Sequence, residues 1–166
     1  MQEIKLRDAR RTDVPKICDI HNQGIADRLA TLDVESHTLE EQLEWFHRHG
    51  PRHPVVVAEA MGDIIGWVSL NRFSRRAAYR FVADLSVYVD RQWRGKGIGS
   101  LLLQEVVTRA RSIGYHKIVL SAFPFNQAGM RLYEKFGFRT VGIYREQGWL
   151  DGRWVDTIIM EKLFDA

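Results

Sequence analysis

One cysteine, Cys18, and four prolines among 166 residues leave little to cross-link or kink the chain. A lone cysteine excludes an internal disulfide and suits a reducing cytoplasm. Ile17 and Ile20 beside it predict a buried core thiol rather than a reactive one. No apolar run approaches membrane-spanning length, and the opening MQEIKLRDAR carries charges where a secretory signal needs an apolar stretch. Neither a membrane nor export is therefore expected. Lys and Arg number 24 against 21 Asp and Glu, a net charge of +3, and no long basic run or aromatic-interleaved basic patch occurs. That balance suits an anionic small ligand and gives no reason to expect nucleic acid. The six histidines show neither H-E-x-x-H nor a paired Cys/His spacing, so no metal is expected.

What the chain does have is an ordinary globular composition, 45% hydrophobic and 27% charged, at a length that fits one domain over residues 1–166. Ile4 to Arg7 reads as a short strand. Thr12 is the expected N-cap of a helix running towards Arg28, with Pro15 in its first turn. Thr38-Leu39-Glu40-Glu41 has the capping-box pattern and opens a second helix through Trp45 and Phe46. PVVVAEAMGDIIGWVSLNRF reads as two strands joined at Met61-Gly62-Asp63, and FVADLSVYVD as another, with Leu85, Val87 and Val89 on one face. Ile98 to Ile113 is amphipathic and ends at Gly114. KIVLSAF is a strand, Asn126 to Phe136 a helix stopped by Gly137, and the tail a hairpin about Asp151-Gly152. Trp45, Trp67, Trp149 and Trp154 read as core or interface residues. The order is mixed α/β with antiparallel hairpins at both ends.

Within it, Arg94-Gly95-Lys96-Gly97-Ile98-Gly99-Ser100 joins a strand to a helix. Glycine at this density disfavours helix but lets a ligand reach the main chain, and a helix N-terminus offers free N–H groups to an anion. A P-loop would need G-x-x-x-x-G-K-[ST]. A dinucleotide fingerprint would place its third glycine where Ser100 stands. R-x-x-G-x-G remains, matched by Arg94, Gly97 and Gly99; a plain glycine-rich turn with solvated cations would show the same residues.

LSVYV, RGKGIG and NQAGMRLYEKFGF, in this order and spacing, resemble the GNAT acetyltransferase superfamily over most of the chain. The resemblance implies a central mixed, mostly antiparallel twisted sheet flanked by helices, with acetyl-CoA as co-substrate and no metal. It implies that the loop from Arg94 to Ser100 (Gly95, Lys96, Gly97, Ile98 and Gly99 included) cradles the diphosphate. Main-chain groups of Val87, Tyr88 and Val89 would then pair with the pantetheine arm. Asn126 would contact the cofactor and Tyr133 would lie near the thioester sulfur. ATLDVESHTLEEQLEWF, GWVSLNRFSRRAAYRFVADLSVYV and YREQGWLDGRWVDTIIMEKL are similar to the branch that acetylates phosphinothricin, methionine sulfoximine and, most similarly, arsinothricin. Many of that branch carry Glu where Asp84 stands and Arg where Ser74 follows Phe73. Those departures bear on the substrate more than on the chemistry.

The reaction so implied is direct acyl transfer, in which a primary amine loses a proton, attacks a thioester and expels a thiolate. Asp84, just before the cofactor segment, is the candidate base, alone or through water, and Tyr133 the candidate donor to the departing sulfur. N–H groups at Val87 to Val89 are candidates for polarising the carbonyl. Arg75, Arg76 and Tyr79, with Leu85 and Ser86 on the strand, are the candidate contacts for an amino-acid analogue with an anionic tail, because guanidinium matches such groups bidentately. The expected partner is a small-molecule amine, with a homodimer as one option. A peptide or protein N-terminal acetyltransferase and a non-catalytic acyl-CoA sensor are the alternative classes.

Overall fold

In the computed structural model residues 2–29 and 32–165 are described; Ala30 and Thr31, the first two of the ATLDVESHTLEEQLEWF stretch, lie outside them. The strand-forming runs line up as β1 (Ile4–Asp8), β2 (Val55–Ala60), β3 (Asp63–Arg72), β4 (Val82–Val89), β5 (Lys117–Ala122), β6 (Arg139–Leu150) and β7 (Arg153–Leu163). Four helices stand between them: α1 (Val14–Ala26), α2 (Leu39–His47), α3 (Ile98–Ile113) and α4 (Gln127–Lys135). The sheet order is β1-β2-β3-β4-β5-β7-β6, and only the β4–β5 pair is parallel. This is the mixed, mostly antiparallel sheet that the resemblance implies.

Strand alternation divides the core. Val56, Ala58, Val68, Leu70, Ala83 and Leu85 face α3, whose Leu102, Leu103, Val106 and Ala110 are wholly buried against them. Leu132 and Tyr133 of α4, with Phe136 just after it, pack on that same cluster. On the opposite face, Val55, Val57 and Trp67 meet Ile17 and Ile20 of α1 and Trp45 and Phe46 of α2. Period-2 side-chain direction makes this division automatic once the register is set.

Helix ends follow local chemistry, with one correction. Thr38 caps α2 as expected, its hydroxyl accepting the Glu41 N–H at 3.1 Å. Thr12 does not cap α1. It lies inside a short 3-10 turn (Arg11–Asp13), which moves the N-cap position to Asp13. The Asp13 carboxylate accepts the Arg10 N–H at 2.7 Å and pairs with Arg7 at 2.7 Å. Hydrogen bonding from Arg7 accordingly holds Asp13 below the usual carboxylate range. Cys18 is buried, as read from its neighbours. Of the tryptophans, Trp67 is core, while Trp149 and Trp154 are exposed and pack edge-on to each other. Among the described residues no helix is long and apolar enough to cross a membrane.

One irregularity matters for function. β4 follows β3 down to Val89, but its ladder with β5 covers only Val82–Asp84 against Lys117–Val119. The two parallel strands part at Asp84.

Candidate active site

The glycine loop stands at the mouth of this parting. After β4 the Asp90 carboxylate accepts the Gln92 N–H at 2.9 Å and starts a short turn. Gly95 and Gly97 then take left-handed conformations, with φ of +76° and +85°, where a side chain costs energy. Gly97 is the N-cap position of α3, so the first N–H groups of that helix open beside it. Gly99 serves packing instead: a Cβ there would stand 3.1 Å from Leu132 of α4.

The end of α1 braces the loop. Asp27 pairs with Arg91 at 2.8 Å and with Arg94 at 2.7 Å, and the Arg91 hydrogen bond leads in lowering its pKa. Gln23 accepts the Arg91 N–H at 2.7 Å. Arg94 is thus held in place with its charge partly neutralised. Lys96 sets its Nζ 5.1 Å over the ring of Trp93, a residue of the loop's own cleft.

A cleft of about 310 Å³ runs from this loop along β4 to α4. Val87, Tyr88, Val89, Arg94, Gly95, Gly97, Ile98, Gly99, Ser100, Asn126 and Tyr133 line it, so every cofactor candidate except Lys96 is on its wall. Asn126 is also structural: its Oδ1 accepts the Gly129 N–H at 3.1 Å, capping α4, and its Nδ2 donates to the Leu29 carbonyl at 3.2 Å.

Asp84 lies on the α1/α2 face of the sheet, at the last rung of the β4–β5 ladder. Burial raises its pKa above the usual carboxylate value, and a 3.2 Å hydrogen bond from Asn71 Nδ2 opposes that rise. Asn71, paired with Asp84 across the β3–β4 ladder, also donates to Ser86 Oγ at 2.9 Å. Its Oδ1 accepts from Ser69 Oγ at 2.9 Å and lies 2.8 Å from His49 Nε2. His49 Nδ1 in turn donates to the Trp45 carbonyl at 2.7 Å. Tyr133 stands on the other side of the parting. Burial, and then the charge of Asp84, push its phenol up to about 12, so it holds its proton at neutral pH.

A second cleft, about 750 Å³, opens on the α2 side of Asn71 and is rimmed by Arg48, Arg72 and Arg75, with His49 and His53. Arg75 is therefore brought to the site. Arg76 and Tyr79 are not on this wall: the Arg76 N–H binds Ser74 Oγ at 3.2 Å, and Tyr79 packs edge-on against Phe73. Leu85 points into the α3-side core, 7% exposed, so only its main chain faces the parting. Ser86 reaches the site through Asn71. Asn71, His49, Arg48 and Arg72 were not singled out from the sequence. They come together only through the β3–β4 register and the turn after α2.

A sheet that parts beside a glycine-lined helix start, with a half-buried carboxylate at the fork, is an arrangement suited to acyl transfer from an anionic carrier. The chain belongs to the acetyltransferase (GNAT) family, whose profile matches residues 19–138. An L-methionine sulfoximine/L-methionine sulfone acetyltransferase of Pseudomonas aeruginosa is 32% identical over 162 residues, 96% of this chain and 94% of its own length. A phosphinothricin N-acetyltransferase of Streptomyces coelicolor is 30% identical over 164 residues, 96% of both chains. The crystal structure of a phosphinothricin acetyltransferase from Sinorhizobium meliloti in complex with AcCoA has a TM-score of 0.91 and 31% identity, covering 96% of this chain and 88% of that one.

Proposed function

We propose that this chain transfers the acetyl group of acetyl-CoA to the primary amine of a small amino-acid analogue of the phosphinothricin, methionine sulfoximine or arsinothricin kind. The observation that carries the reading is the parting of β4 from β5 at Asp84. The glycine-lined cleft lies along β4 beyond this point, and Asn71, hydrogen-bonded to the Asp84 carboxylate, lines the arginine-rimmed cleft.

The residues suit the co-substrate. N–H groups between Gly95 and Ser100 fit a diphosphate, with Arg94 and Lys96 adding positive potential. Val87, Tyr88 and Val89 offer a strand edge to an amide-bearing arm, beside Asn126. Acetyl-CoA supplies the activated acyl group. Asp84 then accepts the amine proton, directly or through one water, and its raised pKa brings it nearer the working range of a base at neutral pH. Asn71 and Ser86 orient that carboxylate. Tyr133, protonated, donates to the departing sulfur. No metal takes part in these steps. Arg75, with Arg48 and Arg72, attracts the anionic end of the substrate. We place the enzyme in the cytoplasm as one domain over residues 1–166, away from nucleic acid and membrane. Exposed Val141, Ile143 and Tyr144 on β6 support a homodimer.

Thiol release from acetyl-CoA, measured across phosphinothricin, arsinothricin, methionine sulfoximine, polyamines and short peptides, tests the reading. The anionic amino-acid analogues are expected to react best. A panel in which only peptides react would replace it with the peptide N-terminal class, and acyl-CoA binding without turnover of any amine with a sensor. Placement also separates the two arginines. Arg75→Ala is expected to raise KM for the anionic analogues about tenfold, as for loss of a charge-assisted hydrogen bond, with less effect on uncharged amines. Arg76→Ala, off the cleft wall, should change neither. Equal effects of the two variants would remove Arg75 from the substrate site.

A further inference from the structure

His21 lies on α1, buried, and the connection to α2 brings Asp33 and His37 back to it. The Asp33 Oδ2 atom is 3.3 Å from His37 Nε2 and 3.9 Å from His21 Nε2, and one donor atom from each residue lies within 4.8 Å of the others. The two imidazole rings meet edge-to-face at 4.3 Å. We propose that His21, Asp33 and His37 form a binding site for a divalent transition-metal ion, of which zinc is the type, and that the ion fastens the α1–α2 connection to α1.

Distances carry the first part. Ligands held tetrahedrally at about 2.0–2.1 Å from zinc stand roughly 3.3–3.4 Å apart. The His37–Asp33 separation already has that value, His21 needs to close on Asp33 by little more than half an ångström, and the two imidazole donors lie within 4.8 Å of each other. Two imidazole nitrogens with one carboxylate oxygen select zinc, cobalt, nickel or copper over magnesium or calcium, and leave room for a water ligand.

The supports around the ligands carry the second part. His21 Nδ1 is 3.2 Å from Oε1 of the fully buried Gln42, which sets the plane of the ring. With a carboxamide oxygen as partner, Nδ1 carries the hydrogen and Nε2 turns its lone pair towards Asp33 and His37. His37 is pinned independently. Asn22, next to His21 on α1, accepts the His37 N–H at 2.8 Å and donates to the His37 carbonyl at 3.0 Å. Both imidazoles are therefore presented from a common support, one by α1 itself and the other by a two-point main-chain clip.

The consequence reaches the transferase site. Leu29, within the α1–α2 connection, lines the cofactor cleft and accepts the Asn126 hydrogen bond. His21 itself packs on Tyr88, ring centroids 4.9 Å apart, on the other side of that wall. An ion at this position stiffens one side of the cleft without touching the reacting atoms.

The test uses tag-free, chelator-stripped protein titrated calorimetrically with zinc chloride, with magnesium chloride as the control. One equivalent of zinc is expected to bind and to raise the melting temperature, and magnesium to do neither. Cobalt(II) should give the visible absorption of a four- or five-coordinate site. His37→Ala and Asp33→Asn, both substitutions at the accessible side of the cluster, should each weaken zinc binding by at least about tenfold and abolish the melting shift. If the trio is only a proton-sharing ion pair, stripped protein will take up no stoichiometric zinc. That result, or undiminished zinc affinity in both variants, overturns the proposal.

Discussion

Asp84→Asn is expected to slow amine acetylation at neutral pH by about 10²–10³-fold, leave acetyl-CoA affinity unchanged and raise thermal stability. The rate loss follows from removing the proton acceptor, and it should shrink as pH rises and the amine deprotonates unaided. The stability gain follows from burial. Desolvation raises the folded pKa of Asp84 above its unfolded value, so the folded chain holds that proton more tightly than the unfolded one. Its favourable contribution is complete below the unfolded pKa and is lost as pH rises through the folded pKa; above that, the ionised group in its half-buried place is a liability. Asparagine has no charge to desolvate. Urea melts of the two proteins should therefore converge at acid pH and separate, with the variant more stable, as pH rises. A variant that is less stable and equally slow at every pH would reduce Asp84 to a structural carboxylate.

The same carboxylate links the two proton transfers of the proposed mechanism. Tyr133 stays protonated first because it is buried and second because Asp84 is negative. When Asp84 takes the amine proton, the second of those influences disappears. The phenol becomes a better donor at the moment the thiolate needs one. In the proposed mechanism two groups with displaced pKa values on opposite sides of a single parting thus take complementary roles, one accepting and one donating.

How much of this was legible in the chain depends on the range of the signal. α3 was readable to its ends, Ile98 and Ile113, because apolar periodicity, a glycine-rich start and Gly114 are all local. The turn at Met61-Gly62, both with positive φ, was readable for the same reason. Thr12 reads as a cap because Thr is a good N-cap, but a 3-10 turn carries the chain one residue further, and Asp13 at the N-cap position uses its carboxylate on Arg10 and Arg7 instead. Leu85 could have been rejected as a side-chain contact, since its alternation with Val87 and Val89 already placed it on the core face. The oxygen and nitrogen network about Asn71 was out of reach. It depends on Asn71 pairing with Asp84 thirteen residues later, and strand register between non-adjacent segments leaves no motif behind. Arg48, Arg72 and Arg75 likewise come from the end of α2, the end of β3 and the connection after it, and His21, Asp33 and His37 follow no helical metal spacing.

Gly97→Glu is expected to weaken acetyl-CoA binding by at least about 100-fold while the protein still folds, and Gly97→Ala to weaken it much less. Both variants carry the same backbone penalty, because φ is +85° and any side chain is strained there by roughly 1–2 kcal/mol. Neither meets a steric obstacle at Cβ, since nothing lies within 4 Å of that position. The glutamate alone sets a negative charge at the start of α3, where the proposed diphosphate lies. Two like charges about 4 Å apart near a protein surface repel by roughly 4 kcal/mol, and even about 2.7 kcal/mol of that is a hundredfold in affinity. S-acetylpantetheine, a donor with the same thioester and arm but no diphosphate, isolates the loop's part. Gly97→Glu should leave KM for this donor close to that of the parent enzyme while KM for acetyl-CoA rises steeply. Equal losses with both donors would mean that the substitution acts through the fold, and the loop from Gly95 to Ser100 would no longer be the diphosphate site.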